Sequence, residues 1–235
     1  MGLATMTEPA IIIPLAPGER AWTFLLADLA AAGARGPIVL CGPQAPQDLD
    51  THRQGHDLRW VSCALGRGRQ MNAGAAASDA QFLWFLHADS RLTPDAYACL
   101  LQALAQRPGD LHFFDLDFLA DGPVLTKLNG WGARVRSRLL SMPFGDQGLC
   151  LARSTWERLG RFSENRRYGE DHAFIWQCLR ARVPLRPVGA HLQTSARKYR
   201  DQGWLKTTFQ HGYLTWRQAV PELVAFLKVR WGGDR

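Results

Sequence analysis

The feature that most constrains this chain is a rhythm: short apolar runs alternate with segments of helical periodicity through its first hundred residues. Ile11–Ile13 precedes Glu19–Ala32, in which Trp22, Leu25, Leu26 and Leu29 recur at helical spacing and Gly33 stands where a helix stops. Pro37–Cys41 is a second apolar run, closed by Gly42-Pro43, and Leu58–Cys63 is a third. An Ala/Gly-rich helix is predicted near Arg67–Ser78, followed by a fourth run, Gln81–His87. Thr93-Pro94-Asp95 reads as the N-cap, first-turn proline and first-turn acid of the next helix. Such alternation with short connections implies a mostly parallel sheet covered by helices on both faces.

From Leu111 the rhythm loosens. Leu111–Leu119 alternates as a strand with one wetter face, Gln147–Leu151 reads as a short strand, and a strong helix follows Glu170. The predicted architecture is α/β, a Rossmann-like central sheet flanked by helices, with a less regular second half. Residues 1–202 form the core of this reading, divided at 110/111, and residues 203–235 form a helical basic and aromatic tail in which Pro221 opens the last helix.

With 46% apolar and 21% charged residues, the 235-residue chain is too apolar to be disordered and lacks collagen or coiled-coil composition. Its net charge of +7 admits nucleic acid, an anionic membrane or a phosphate-bearing substrate. The distribution is more informative. Residues 1–130 carry 9 basic against 13 acidic side chains, whereas residues 131–167 and 195–235 each carry 8 against 3. The five cysteines form no C-x-x-C pair, so neither a zinc site nor a disulfide framework is indicated. MGLATMTEPA has no basic start followed by an apolar stretch, and Met6 occupies the position where a myristoylation signal carries Ser or Thr. No apolar run reaches the roughly 20 residues that cross a bilayer. A cytoplasmic protein is expected, with peripheral contact at the inner membrane face left open.

Ligands of open α/β sheets bind outside the carboxyl ends of the strands. This places His87-Ala88-Asp89, which closes the most apolar run, in first position. Asp89 could hold a divalent metal against phosphates or cap the turn before Thr93. Gly66–Ala77, GRGRQMNAGAAA, opens a helix with Arg67 and Arg69 near an anion-favouring N-terminus. Its small residues Ala73, Gly74, Ala76 and Ala77 suit close helix packing. Asp171 shares the apolar stripe of Phe174, Ile175, Cys178 and Leu179, so it points inward, as a helix cap or as a general base. In FGDQG, Asp146 and Gln147 sit in a turn suited to a sugar hydroxyl or to no ligand at all. Arg197, Lys198, Arg200 and Lys206, interleaved with Tyr199 and Trp204, could close over a diphosphate, bind nucleic acid, lie on lipid, or stay solvated.

Taken in order, these segments resemble a family 2 glycosyltransferase of the GT-A fold, from about Gly66 to Trp204. GRGRQMNAGAAASDAQFLWFLHADSRL is similar to that family's basic-residue, Asn and Gly segment leading into the strand that bears the Asp-x-Asp motif. FGDQGLCLARSTWERLGRF resembles its acceptor-side strand, and YGEDHAFIWQCLRARVP its Glu-Asp helix. The HAD variant, followed by GDQG and SAR-K, most resembles a small bacterial subgroup associated with arsenosugar-type biosynthesis. The resemblance implies a nucleoside diphosphate-sugar donor, a hydroxyl acceptor on a small molecule or lipid, and Mn²⁺ or Mg²⁺ as cofactor. It implies Asp89 as metal ligand, with His191 completing the metal shell, and Asp171 as general base beside Glu170. Arg67, Arg69, Asn72, His87, Arg197 and Lys198 would face the nucleotide-sugar, and Asp146 and Gln147 the acceptor. The expected reaction is a single displacement with inversion.

The first segment departs from the family pattern. Ile13-Pro14-Leu15-Ala16-Pro17-Gly18-Glu19 and Cys41-Gly42-Pro43 lack the acid that usually recognises the nucleotide base. A nucleotidyltransferase would carry a glycine-rich loop with Arg and Lys after the first strand, which is absent here. A non-catalytic basic binder of RNA or membrane would leave the inward Asp171 and the strand-end Asp89 unexplained. Nucleic acid is therefore not expected as a partner.

Overall fold

The computed structural model describes residues 8–53, 57–166 and 168–231; the sequence reading of the N-terminus falls largely on residues 1–7, outside them. Strands β1 (Ala10–Pro14), β2 (Ile38–Gly42), β3 (Leu58–Ser62) and β4 (Phe82–Phe85) alternate with helices α1 (Trp22–Ala31), α2 (Leu49–His52) and α3 (Arg67–Ala76). Then follow β5 (Arg91–Leu92), α4 (Ala96–Gln106), β6 (Leu111–Phe118) and α5 (Thr126–Leu139). A 3-10 turn (Gly145–Gln147) leads to β7 (Cys150–Ala152), α6 (Arg153–Arg158), α7 (Glu170–Arg180), β8 (Leu185–Thr194), α8 (Arg197–Gln202) and α9 (Trp204–Trp231).

One eight-stranded sheet runs in the order β3-β2-β1-β4-β7-β6-β8-β5. β1 pairs parallel with both β2 and β4, and β2 with β3. Every residue of β1, β2 and β4 is buried, as expected for parallel strands covered on both faces. The second half makes the sheet mixed: β7 runs antiparallel to β4 and β6, and β5 antiparallel to β8, while β6 and β8 are parallel. The chain steps from β1 to β2 and β3 on one side, then returns through α3 to β4 on the other. The loops after β1 and β4 therefore diverge, which opens a crevice at the carboxyl ends of these two strands.

Close packing brings α3 down onto the sheet. A Cβ at Gly74 would lie 2.7 Å from Ile12 and 2.8 Å from the Cys41 sulfur, so only glycine permits this approach. Ala75 is buried beside it, whereas Ala76 and Ala77, read from sequence as packing residues, face solvent at the helix end. On the other face Trp84, fully buried, stacks between Tyr97 and Phe114 at centroid distances of 6.0 and 5.5 Å.

Three local expectations are corrected. α4 starts at Ala96, and the Thr93 hydroxyl donates to the His191 carbonyl rather than capping the helix. The strand expected over Gln147–Leu151 begins only at Cys150, because Gln147 closes a 3-10 turn and Gly148 at φ +63° turns the chain before β7 can begin. Pro221 lies inside α9, which runs unbroken over 28 residues. Among the described residues four of the seven strand pairings are parallel, as expected of a mostly parallel sheet, and the antiparallel ones involve β7 and β5. All five cysteines are free thiols. Replacing Trp84 by Ala would empty a ring-sized volume between two aromatic neighbours and cost about 3–5 kcal/mol. Denaturant unfolding should show a lowered midpoint with an unchanged slope.

Candidate active site

The crevice between β1 and β4 is a cleft of about 360 Å³. Its walls include Pro14 and Glu19 after β1, Gly66 and Arg67 at the start of α3, and His87 and Asp89 after β4. Glu19 was quoted in the first segment without a role; its position just beyond the first strand of a doubly wound sheet was the available signal. Its carboxylate accepts hydrogen bonds from the Arg20 and Ala21 N–H groups at 2.8 and 2.7 Å.

Arg67 organises the floor. Its Nε stands 3.0 Å from the buried Glu170 carboxylate, and its Nη2 donates to His87 Nε2. A guanidinium cannot accept, so Nε2 is the unprotonated nitrogen of His87. Burial first, and the Arg67 charge second, hold the His87 pKa down at about 3, leaving the ring neutral. Asp171 lies against the same group. Its Oδ2 accepts from Gly145 N–H at 2.6 Å and its Oδ1 from His172 N–H at 2.7 Å. Burial pushes its pKa up, but Arg67, the two N–H donors and His87 outweigh it and hold the carboxyl below its ordinary value. The helix N-cap is Gly169 at φ +76°, without a side-chain cap. Asp171 instead reaches across to the 145–147 turn.

Gly145 makes that arrangement possible. A Cβ there would stand 2.8 Å from Asp171 Oδ2, 3.0 Å from Arg67 Nη2 and 3.1 Å from His87 Nε2. The turn next presents Asp146, whose Oδ1 is buried without a hydrogen-bond partner. Burial raises the Asp146 pKa; Arg136 and Arg67 oppose this, while Asp171 and Asp89 add to it. Gln147 does not join Asp146 at the ligand face. It is fully buried, donating to the Phe114 carbonyl at 2.9 Å and accepting from Arg136 and from Phe144 N–H, because the turn needs its amide as an internal brace.

Two residues outside the expected ligand set complete this side. Arg136 lies 3.5 Å over the Phe144 ring and donates to the Met142 carbonyl, and burial lowers its pKa. Tyr199, also buried, has a phenol pushed up to about 12 by burial and by Asp146. Arg136 stands three residues after the buried Ala133 of α5, a spacing that marked the inner face. Nothing in the sequence marked Tyr199 apart from the charges around it.

Asp89 half-faces the cleft, and its carboxylate accepts from the Thr194 hydroxyl at 3.3 Å. Among the described residues no N–H of positions 91–95 bonds to it, so it does not cap the following turn. Burial raises its pKa, with Arg197 acting in the opposite sense. Arg197 is exposed and donates to the Ser195 hydroxyl at 2.9 Å, within a segment anchored by Asp121.

Other expected ligands are engaged elsewhere. Asn72 clamps both backbone groups of Phe162, at 2.9 and 3.1 Å, and also donates to Glu164. Arg69 pairs with Glu164 at 3.5 Å. Lys198 points to His211 of α9 at 3.1 Å rather than into the cleft. His191 Nδ1 lies 2.9 Å from Asp117, a contact that leaves Nε2 as the ring nitrogen open to a metal. Among the described residues no three His, Cys, Asp or Glu side chains converge as a ligand set. The donors that remain suit a metal arriving with its substrate, since Mg²⁺ is commonly held by one or two carboxylates plus phosphate oxygens. Asp89, with no cation within ion-pair distance among the described residues, is such a carboxylate.

Neither a protein-family model nor a curated protein sequence matches the chain. Solved structures do match. S. aureus TarS residues 1–349 in complex with UDP-GlcNAc superposes with a TM-score of 0.62 at 14% identity, covering 80% of this chain and 58% of that one. GalNAc-T7 with UDP, GalNAc and Mn²⁺ superposes with a TM-score of 0.58 at 13% identity, covering 82% and 44%. The chain thus spans less than two thirds of the length of these structures. A Gly145→Ala variant should retain its melting temperature within a few degrees yet push Asp171, Arg67 and His87 apart, which a displaced His87 ring resonance in the NMR spectrum reads directly. The fold is that of the GT-A glycosyltransferases.

Proposed function

We propose that the chain transfers a sugar from a nucleoside diphosphate-sugar to a hydroxyl acceptor, with inversion, and that Asp171 is the general base. The observation that carries this reading is the ionised Asp171 carboxylate, fixed by Arg67 and the Gly145 N–H beside a cleft at the sheet's switch point. The solved neighbours add weight, since TarS is described with UDP-GlcNAc and GalNAc-T7 with UDP, GalNAc and Mn²⁺. The finer subgroup, associated with arsenosugar-type biosynthesis, rests on the HAD, GDQG and SAR-K residues alone.

In this reading the nucleotide enters between Glu19 and Arg67, and its diphosphate lies toward Asp89 and Arg197. Asp89 would hold a divalent metal there, which when bound offsets negative charge on the departing diphosphate. Asp146, with its unpartnered oxygen, orients the acceptor. Asp171 takes the acceptor's proton as its oxygen bonds to the anomeric carbon and the carbon–oxygen bond to the diphosphate breaks. Both its oxygens already accept one N–H bond each, but a carboxylate has roughly four acceptor positions, so room remains for the substrate hydroxyl. Arg67 is a positioning residue in this scheme: it keeps Asp171 charged and Glu170 buried. A positioned base of this kind contributes about 10²–10⁴-fold.

Asp171→Asn should remove transfer by about that factor while leaving donor affinity nearly unchanged. Full turnover in the variant would overturn the base assignment. Asp89→Ala should abolish the Mn²⁺-dependent part of donor binding, read by calorimetry with and without the metal. Arg67→Ala should move the acidic limb of the rate profile to higher pH, because the charge that holds the Asp171 pKa down is gone.

A further inference from the structure

Helix α9 is two-faced. Its inner face packs on α7 and its neighbours: Glu222 pairs with Arg166 at 2.6 Å and Arg180 at 2.9 Å, and the Trp176 and Phe226 rings meet at a tilt. The Gln218 side chain lies over Gly169, the residue that opens the helix bearing Glu170 and Asp171. The outer face carries Leu205, Phe209, Tyr213, Trp216, Val220 and Leu223, spaced by three or four residues, all exposed; Phe209 is 74% and Trp216 65% accessible. At 1.5 Å per residue the stripe from Leu205 to Leu223 is about 27 Å long. An apolar stripe of this length is larger than scattered surface residues explain.

A second stripe adjoins it. Val124, Leu128 and Trp131, at the start of α5, are exposed at the same helical spacing. The two helices meet at Asn129, which donates to Thr208 at 3.1 Å and accepts from the Trp204 indole at 2.6 Å. The charges beside the stripes have one sign. α5 contains no acid, and of its cations Arg134, Arg136 and Arg138 are engaged within the fold while Lys127 is exposed; in α9 the sole acid, Glu222, is turned inward and paired, while Lys206, Arg217 and Lys228 are exposed. No helix among the described residues is long and apolar enough to cross a bilayer.

We infer that the outer faces of α9 and the start of α5 dock on an anionic lipid surface, lying in its interface and bringing the Asp171 end of the cleft next to the bilayer. Exposed aromatic and aliphatic side chains flanked only by cations are the composition of helices that lie in the headgroup region. A nucleic acid would use the cations and leave the apolar stripe exposed. A second copy of the chain would bring the same cations face to face.

The test is co-sedimentation of the purified chain with vesicles of phosphatidylcholine alone or with phosphatidylglycerol added. Binding is expected only to the anionic vesicles and should weaken as salt is raised. Lys206→Gln and Arg217→Gln should each lower partitioning about fivefold. Phe209→Glu/Trp216→Glu should abolish it with the melting temperature preserved, since both side chains are exposed. Absence of binding to anionic vesicles at low salt overturns the inference. Equal binding to both vesicle types overturns it as well. So does a dimer, measured by light scattering, that Phe209→Glu/Trp216→Glu dissociates while vesicles go unbound. The measurement needs neither donor nor turnover, so its failure leaves the transfer reading intact.

Discussion

One guanidinium holds this site together. Arg67 stands at the first position of α3, where the chain returns across the sheet, and it touches groups from two other elements: His87 after β4 and Glu170 at the start of α7. Its charge also sets the state of each. It helps keep His87 neutral and keeps Asp171 ionised against the burial that would neutralise it. Without a cation at this point, two adjacent carboxylates at positions 170 and 171 would repel each other in a half-buried cleft, and one would take up a proton.

That arrangement depends on close backbone approaches. Gly74 lets α3 sink onto β1 and β2, which places Arg67 at the mouth of the crevice. A Cβ at Gly68 would come within 2.4 Å of the Ser163 carbonyl, so the first turn of α3 can lie against the segment leading to α7 only because no side chain is there. Gly145 fills the same role beneath Asp171. The geometry of the cleft is thus set by three absences of a side chain as much as by the charged groups themselves.

The polarity of charge along the chain now has a spatial meaning. The acidic first half supplies the cleft carboxylates Glu19 and Asp89, and the basic second half supplies Arg136, Arg197 and the cations along α9. Several second-half cations are consumed internally, as Arg138 is by Asp115 and Arg166 by Glu222. Lys206, Arg217 and Lys228, left exposed, border the apolar stripes. Net charge by itself could not separate these two populations, because pairing is decided by residues distant in sequence.

The sequence by itself determined the strand–helix rhythm, the carboxyl-end position of Asp89, the inward side of Asp171 and the presence of a long amphipathic tail. These follow from periodicity, which acts over a few residues. Tertiary structure alone decided that Gln147 and Asn72 are braces, that Lys198 and His191 turn to His211 and Asp117, and that Arg136 and Tyr199 border Asp146. Each of those outcomes depends on a partner between 10 and 92 residues away. The competition for a polar side chain between ligand and protein is settled by which buried backbone group or charge would otherwise go unpaired, and local pattern carries no record of that.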